Sequence, residues 1–166
     1  LILVNIHVDA PASQQLSFND APNHYAEAPG TRSAESGNCA RPTMDVVVLA
    51  GGFGTRLRPW TNSIPKPLLP ILDKTMIEHV LDVLPESEVN KVLIAAGYGI
   101  EQMRDYFSNL DLPYEVVIVE ETEPLGTGGA IANCRPHLSD GTFCVINGDL
   151  ITSLKVKDML EFHKNN

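Results

Sequence analysis

Cations are scarce in this 166-residue chain: 12 Lys and Arg stand against 21 Asp and Glu, a formal net charge of −9. Binding along a nucleic-acid backbone needs a broad basic surface, so no nucleic-acid partner is expected, and the few cations must serve locally. Cysteine is equally sparse. Cys39, Cys134 and Cys144 are odd in number and fall in no CxxC or Cys/His metal spacing. They read as reduced thiols of a cytoplasmic protein, with Cys144 buried in an apolar run. No stretch approaches the ~20 apolar residues of a membrane span, so no membrane role is expected.

Familiar phosphate signatures are missing too. No GxxxxGKS or GxxxxGKT loop is present, which argues against a P-loop NTPase, and no kinase HRD or DFG set occurs. Gly52-Phe-Gly54-Thr-Arg-Leu57 meets only the first half of a dinucleotide fingerprint. The second strand run ends in Ala95-Ala96-Gly97, where a dinucleotide fold places a ribose-binding acid.

What is present divides at Met44. After the apolar octet Leu1 to Val8, residues 1–43 become a mixture of Pro, Ala, Ser, Asn and Gly with no periodicity. Such a segment buries too little apolar surface to offset its ordering entropy, so residues 1–43 are expected to be a disordered or non-native extension, with Met44 the natural start. The octet lacks the basic flank and length of a signal peptide.

Residues 44–166 are regular. Val46 to Ala50, Lys91 to Ala96, Tyr114 to Val119 and Thr142 to Asn147 are short, β-branched, apolar runs of strand length. Helical stretches separate them. Thr75-Met-Ile-Glu78 has capping-box spacing, and Ile77, Val80, Leu81 and Leu84 then share a face until Pro85. Ile100, Met103 and Phe107 mark a second helix, Gly126 to Cys134 opens a third, and Lys155 to Lys164 makes a fourth. The pattern predicts an α/β fold: a Rossmann-like, mainly parallel sheet with helices on both faces. Ligands of such sheets sit beyond the carboxyl ends of the strands, and each run here is followed there by glycines or acids.

The densest such segment is Leu49-Ala-Gly-Gly-Phe-Gly-Thr-Arg-Leu-Arg-Pro-Trp-Thr61, followed by Ile64-Pro-Lys-Pro-Leu-Leu-Pro-Ile71. Glycines let backbone N–H groups approach phosphate oxygens, and Arg56, Arg58 and Lys66 supply compensating charge. Lys66 is fixed between Pro65 and Pro67, which favours a positioned role over a solvated one. Arg58 is divided between phosphate binding and structural pairing. His79, His137 and His163 have no ligand partner in the pattern and carry no assigned function.

These residues resemble the opening motif of the sugar-phosphate nucleotidyltransferases, or NDP-sugar pyrophosphorylases: GGxGTRLxPxT followed by PKPLLPI. Glu123-Pro-Leu-Gly-Thr-Gly-Gly-Ala130 is similar to that family's base- and ribose-binding loop, and Val145-Ile-Asn-Gly-Asp149 to its metal-binding strand end. The resemblance implies a reaction in which a sugar 1-phosphate attacks the α-phosphorus of an NTP, releasing pyrophosphate and an NDP-sugar. It implies catalytic roles for Arg56 and Lys66. It also implies nucleotide binding by Leu49, Ala50, Gly51, Gly52, Gly54, Thr55, Glu121 and Gly126, and Mg²⁺ on Asp149. The wording is closest to mannose 1-phosphate guanylyltransferases and related glucose 1-phosphate branches, so GTP and mannose 1-phosphate rank first as substrates. A homo-oligomer is compatible with the complete protein.

Family members continue past this strand end into a sugar-binding half with a second metal-binding aspartate, whereas this sequence stops at Asn166. The expectation is therefore the N-terminal nucleotide-binding part of the domain, truncated at the C-terminus and with little activity alone. A catalytically silent nucleotide-binding regulatory module or subunit is the alternative. Arg56, Lys66 and Asp149 together favour the enzyme, because a silent module has no need of all three.

Overall fold

Val and Ile crowd the strand runs because a sheet covered on both faces buries every side chain along a strand. The computed structural model describes residues 44–165, so the expectations for residues 1–43, Cys39 included, lie outside the described residues. In chain order the elements are β1 Met44–Leu49, β2 Pro70–Ile71, β3 Lys74–Thr75, α1 Met76–Leu81, β4 Val89–Ala96, α2 Ile100–Ser108, β5 Glu115–Glu120, α3 Gly126–Cys134, β6 Phe143–Asn147 and α4 Val156–Asn165. β1, β4, β5 and β6 form a four-stranded sheet in the order β5-β4-β1-β6, with every pair parallel. β2 and β3 make a separate antiparallel hairpin.

The two-residue period of the strands splits the core in two. Val46, Val48, Val92, Ile94, Cys144 and Ile146 pack with Ile77 and Val80 of α1, Met103 of α2 and Leu160 of α4. Val47, Leu93, Ala95, Phe143 and Val145 face the other way, against Ala130 and Cys134 of α3. Burying one such aliphatic side chain is worth roughly 1.5–3 kcal/mol, so this sandwich of helix, sheet and helix is the main source of stability. Cys134 and Cys144 are both free and buried, and burial pushes each thiol up to about 11.

The expected capping box opens α1. Thr75 N–H donates to Glu78 Oε2 at 2.7 Å, and the Glu78 N–H donates to Thr75 Oγ1 at 3.4 Å. Tyr106 Oη of α2 donates to the same Glu78 oxygen at 2.6 Å, tying the two helices together. α1 ends at Leu81 rather than running to Pro85. Leu84 N–H bonds the Leu81 carbonyl in a tighter turn, which keeps Leu84 buried, while Asp82 is held by Lys74. The β2–β3 hairpin escapes the sequence pattern because two residues per strand carry no periodicity. Its turn places Leu72 at φ 58 with its side chain almost fully exposed.

Register then fixes where the loops gather. Leu49 pairs with Ala95 on one side and Asn147 on the other, and Ala96 pairs with Glu120, so the carboxyl ends of all four strands finish level. Buried Asp45 sits at the opposite edge, where it accepts from Asn90 Nδ2 at 2.8 Å and the Ser139 N–H at 2.6 Å. Among the described residues no helix is long and apolar enough to cross a membrane.

Candidate functional site

The ladder of β1 ends with Ala50 N–H bonded to the Ala95 carbonyl at 2.8 Å. Beyond it, no main-chain N–H from Gly51 to Arg56 meets an acceptor among the described residues, and pairing resumes only where Leu57 N–H reaches the Gly54 carbonyl at 2.8 Å. A run of free amides at the carboxyl edge of a parallel sheet can accommodate an anion. Gly54, at φ 60 and ψ 28, makes the left-handed bend that a short 3₁₀ turn, Thr55–Leu57, then follows. Gly52 has a different reason: a Cβ added there would meet nothing within 4 Å. Protein packing does not demand that glycine, but close approach of a ligand would.

Leu49, Ala50, Gly52, Gly54, Thr55, Arg56, Lys66 and Asp149, all expected at the site from sequence, line one cleft of about 720 Å³. Arg56 is exposed and meets no carboxylate among the described residues. Lys66 begins a 3₁₀ turn between the buried prolines Pro65 and Pro67. Its Nζ forms an ion pair with Asp149 Oδ2. Asp149 follows β6 through Gly148, whose N–H bonds the Leu49 carbonyl at 2.8 Å and whose missing Cβ would lie 3.0 Å from that same oxygen. Only glycine lets the end of β6 close so tightly on the end of β1.

Gly51, Glu121 and Gly126 do not line this cleft. Gly51 instead backs onto Glu121: a Cβ on Gly51 would lie 2.8 Å from Glu121 Oε1. Glu121 is 8% exposed, and its side chain meets no donor or cation within bonding distance among the described residues. Among the described residues no side-chain oxygen fully sealed from solvent lacks a partner, so the Glu121 carboxylate oxygens keep an opening to the outside. Glu121 is thus not a solvated surface acid, since the strand end folds it inward against Gly51. Gly126 opens α3 at φ 67, a backbone requirement rather than an adaptation to a neighbour. Arg58 is exposed and stands outside the cleft.

Two histidines have structural partners: His79 Nε2 lies 2.9 Å from the Ile71 carbonyl and His163 Nε2 lies 3.3 Å from Thr142 Oγ1. Sequence reasoning missed Phe53 and Asn147, which line the cleft, and Thr61, which is buried beneath it. Asn147 had a signal in its place at the end of β6. Phe53 had none, because an aromatic between glycines reads as a loop residue; its ring lies 6.4 Å from that of Tyr98.

A divalent cation is the implied cofactor. Among the described residues no group of three or more His, Cys, Asp or Glu converges. Asp149 is the one carboxylate among the residues that line the cleft, and it is half exposed. That donor set fits Mg²⁺, which characteristically takes one or two carboxylates and completes its shell with phosphate oxygens and water.

Comparison with known proteins gives a consistent result. The nucleotidyl transferase family matches residues 45–166. Mannose-1-phosphate guanylyltransferase 1 of Arabidopsis thaliana is 43% identical over 127 residues, covering 74% of this chain and 35% of that protein. The mannose-1-phosphate guanylyltransferase catalytic subunit beta of Dictyostelium discoideum is 41% identical over 125 residues, with the same two coverages. The chain thus spans about a third of the length of the curated relatives it matches. Among solved structures, HddC from Yersinia pseudotuberculosis complexed with GMP-PN superposes with a TM-score of 0.63 at 35% identity, covering 72% of this chain and 54% of that one. A UDP-glucose pyrophosphorylase complexed with UDP-glucose, 23% identical, shares the fold with a TM-score of 0.64, covering 74% of this chain and 53% of that one.

Proposed function

The chain belongs to the nucleotidyl transferase family, and from that premise we propose that its cleft is the nucleotide side of a sugar-1-phosphate nucleotidyltransferase site. The reactants are an NTP and a sugar 1-phosphate, with GTP and mannose 1-phosphate the favoured pair. The observation that carries this reading is the row of unpartnered amides from Gly52 to Arg56, on residues that line one cleft together with Lys66 and Asp149.

Both reactants are anions, so the site's task is to hold negative charges together in line while the transition state forms. The free amides and Arg56 bind the β- and γ-phosphates and steady the departing pyrophosphate. Lys66 lies between the α-phosphate and the incoming sugar phosphate and orients the attack. The sugar phosphate oxygen forms the new bond to the α-phosphorus as the bond to pyrophosphate breaks, and no enzyme nucleophile is needed. Asp149 would hold Mg²⁺, which when bound adds charge neutralisation at the phosphates.

Glu121 supports guanine as the base. Its carboxylate has no donor among the described residues, so its acceptor sites are left for a ligand to fill. Guanine offers two adjacent donors, N1–H and the N2 amino group, matching the two carboxylate oxygens, while adenine presents an acceptor at N1. Thermal shifts in Mg²⁺ test the reading on this chain: GTP is expected to raise Tm more than ATP, UTP or CTP at equal concentration. No shift with any NTP would refute nucleotide binding, and a larger shift with another base would refute guanine.

A further inference from the structure

Asp45, Thr61 and Glu121 are the buried polar or charged residues among those described. Asp45 is satisfied at the far edge of the sheet and Glu121 backs the nucleotide side, but the chemistry so far leaves Thr61 without a part. Its environment is specific. Thr61 Oγ1 donates to the Gly54 carbonyl at 2.9 Å, while a Cβ on Gly54 would lie 2.8 Å from Thr61 Cγ2. The same carbonyl accepts from Leu57 N–H at 2.8 Å.

We propose that Thr61 is a positioning residue for the anion cradle, acting through the Gly54–Thr55 peptide. A trans peptide is a rigid plane in which C=O and N–H point opposite ways. Two donors that pin the Gly54 oxygen therefore fix the direction of the Thr55 N–H, one of the free amides on a residue lining the cleft. The Thr61 methyl, packed on the Gly54 Cα, holds the left-handed bend from the other side.

Thr61 is itself braced from outside the loop. Tyr98 Oη donates to the Asn62 carbonyl at 3.0 Å, and Gln102 Nε2 donates to the Ser63 carbonyl at 3.2 Å. The chain from Tyr98 after β4 and Gln102 of α2 through residues 62 and 63 to Thr61 and Gly54 thus braces a loop that has no ladder of its own. Preorganised donors need no reordering when the anion arrives, and that is where the hydroxyl acts.

The inference rests on the phosphate-cradle reading, and its test separates the two. Calorimetric titration of the full chain with inorganic pyrophosphate in Mg²⁺ would compare wild type, T61V and T61S, with Tm measured alongside. T61V keeps the shape and removes the donor, and is expected to bind about tenfold more weakly, the scale of one weakened hydrogen bond to a charged acceptor. T61S keeps the donor and loses the methyl, and is expected to stay within about twofold of wild type even if its Tm falls. Equal weakening in both variants, or none in T61V, overturns the role of Thr61 while leaving the cradle intact. Absence of pyrophosphate binding by the wild type overturns the cradle and this inference together. Should T61V not fold, amide NMR of wild type and T61S decides: the Thr55 N–H resonance is expected to move on adding pyrophosphate, and an unmoved resonance refutes the proposal.

Discussion

Lys66 and Asp149, 83 residues apart in sequence, are ion-paired in the cleft beyond the carboxyl ends of β1 and β6. The side chains are 25% and 48% exposed, so the pair sits in a well-screened setting and contributes no more than about 1 kcal/mol. It is easily exchanged. A cation at Asp149 would release Lys66 to a phosphate, and a phosphate at Lys66 would release Asp149 to a cation.

Metal and polyanion are therefore expected to strengthen each other's binding, and D149N has a counterintuitive outcome. In metal-free buffer with chelator it should bind pyrophosphate about two- to fivefold more tightly than wild type, because Lys66 no longer has a competing partner. The gain from added Mg²⁺ should vanish in the same variant. Calorimetry with and without Mg²⁺ checks both halves, and weaker metal-free binding by D149N would contradict the exchange.

Neighbouring glycines of the loop should fail in different ways. G51A places a methyl against the Glu121 carboxylate, which must swing away. Because the obstructed atoms are the tip of a flexible side chain, the expected stability cost lies at the low end of the roughly 1–3 kcal/mol of overpacking. G51A should lose discrimination among bases while keeping pyrophosphate affinity. G52A meets no protein atom within 4 Å, so its stability should be unchanged and its pyrophosphate affinity reduced. Urea denaturation together with pyrophosphate and NTP titrations distinguishes them, and identical profiles would contradict the division of labour.

This division explains what could and could not be read from sequence. The four long strands and four helices were legible because Val and Ile runs at β1, β4, β5 and β6 and the Thr75–Glu78 box are local signals. The cleft was legible because Gly52, Gly54, Arg56, Lys66 and Asp149 each follow a strand end or a proline fix. The burial of Thr61 and Glu121 was not, because it depends on which distant segment folds over them. Thr61 lies seven residues from the carbonyl it serves, and Glu121 is enclosed by the loop after β1. The end of α1 was misplaced for the same reason: Leu84 is buried, yet through a turn rather than along a helix.

Stability should fall in acid through Glu78. Burial works to raise its carboxyl, but the hydrogen bonds from Tyr106 Oη and from the Thr75 N–H and hydroxyl outweigh it, leaving the pKa below its ordinary value of 4.5. A carboxyl depressed in the folded state contributes stability that is fully present above the unfolded pKa and is lost as pH falls through the folded value. Urea unfolding from pH 6 down through the acid range should show this loss, and E78Q should flatten that part of the profile. An E78Q curve parallel to wild type would assign the acid loss to other carboxylates.

Glu121 carries the sharpest consequence for specificity. Two carboxylate oxygens accept from guanine N1–H and N2–H₂ together, whereas the amide of E121Q offers one acceptor and one donor. A bidentate pair of this kind is worth about 1–3 kcal/mol of discrimination, so the preference for GTP over ATP should fall by about tenfold or more. Pyrophosphate affinity should be untouched, because Glu121 does not line the cleft that holds the free amides and Lys66. Stability should hold, since E121Q breaks no hydrogen bond or ion pair among the described residues. Dissociation constants for GTP, ATP, UTP and CTP in Mg²⁺, with pyrophosphate as control, decide the matter. An unchanged GTP preference would remove Glu121 from base recognition, while a parallel loss for every ligand would show that it supports the loop rather than reads the base.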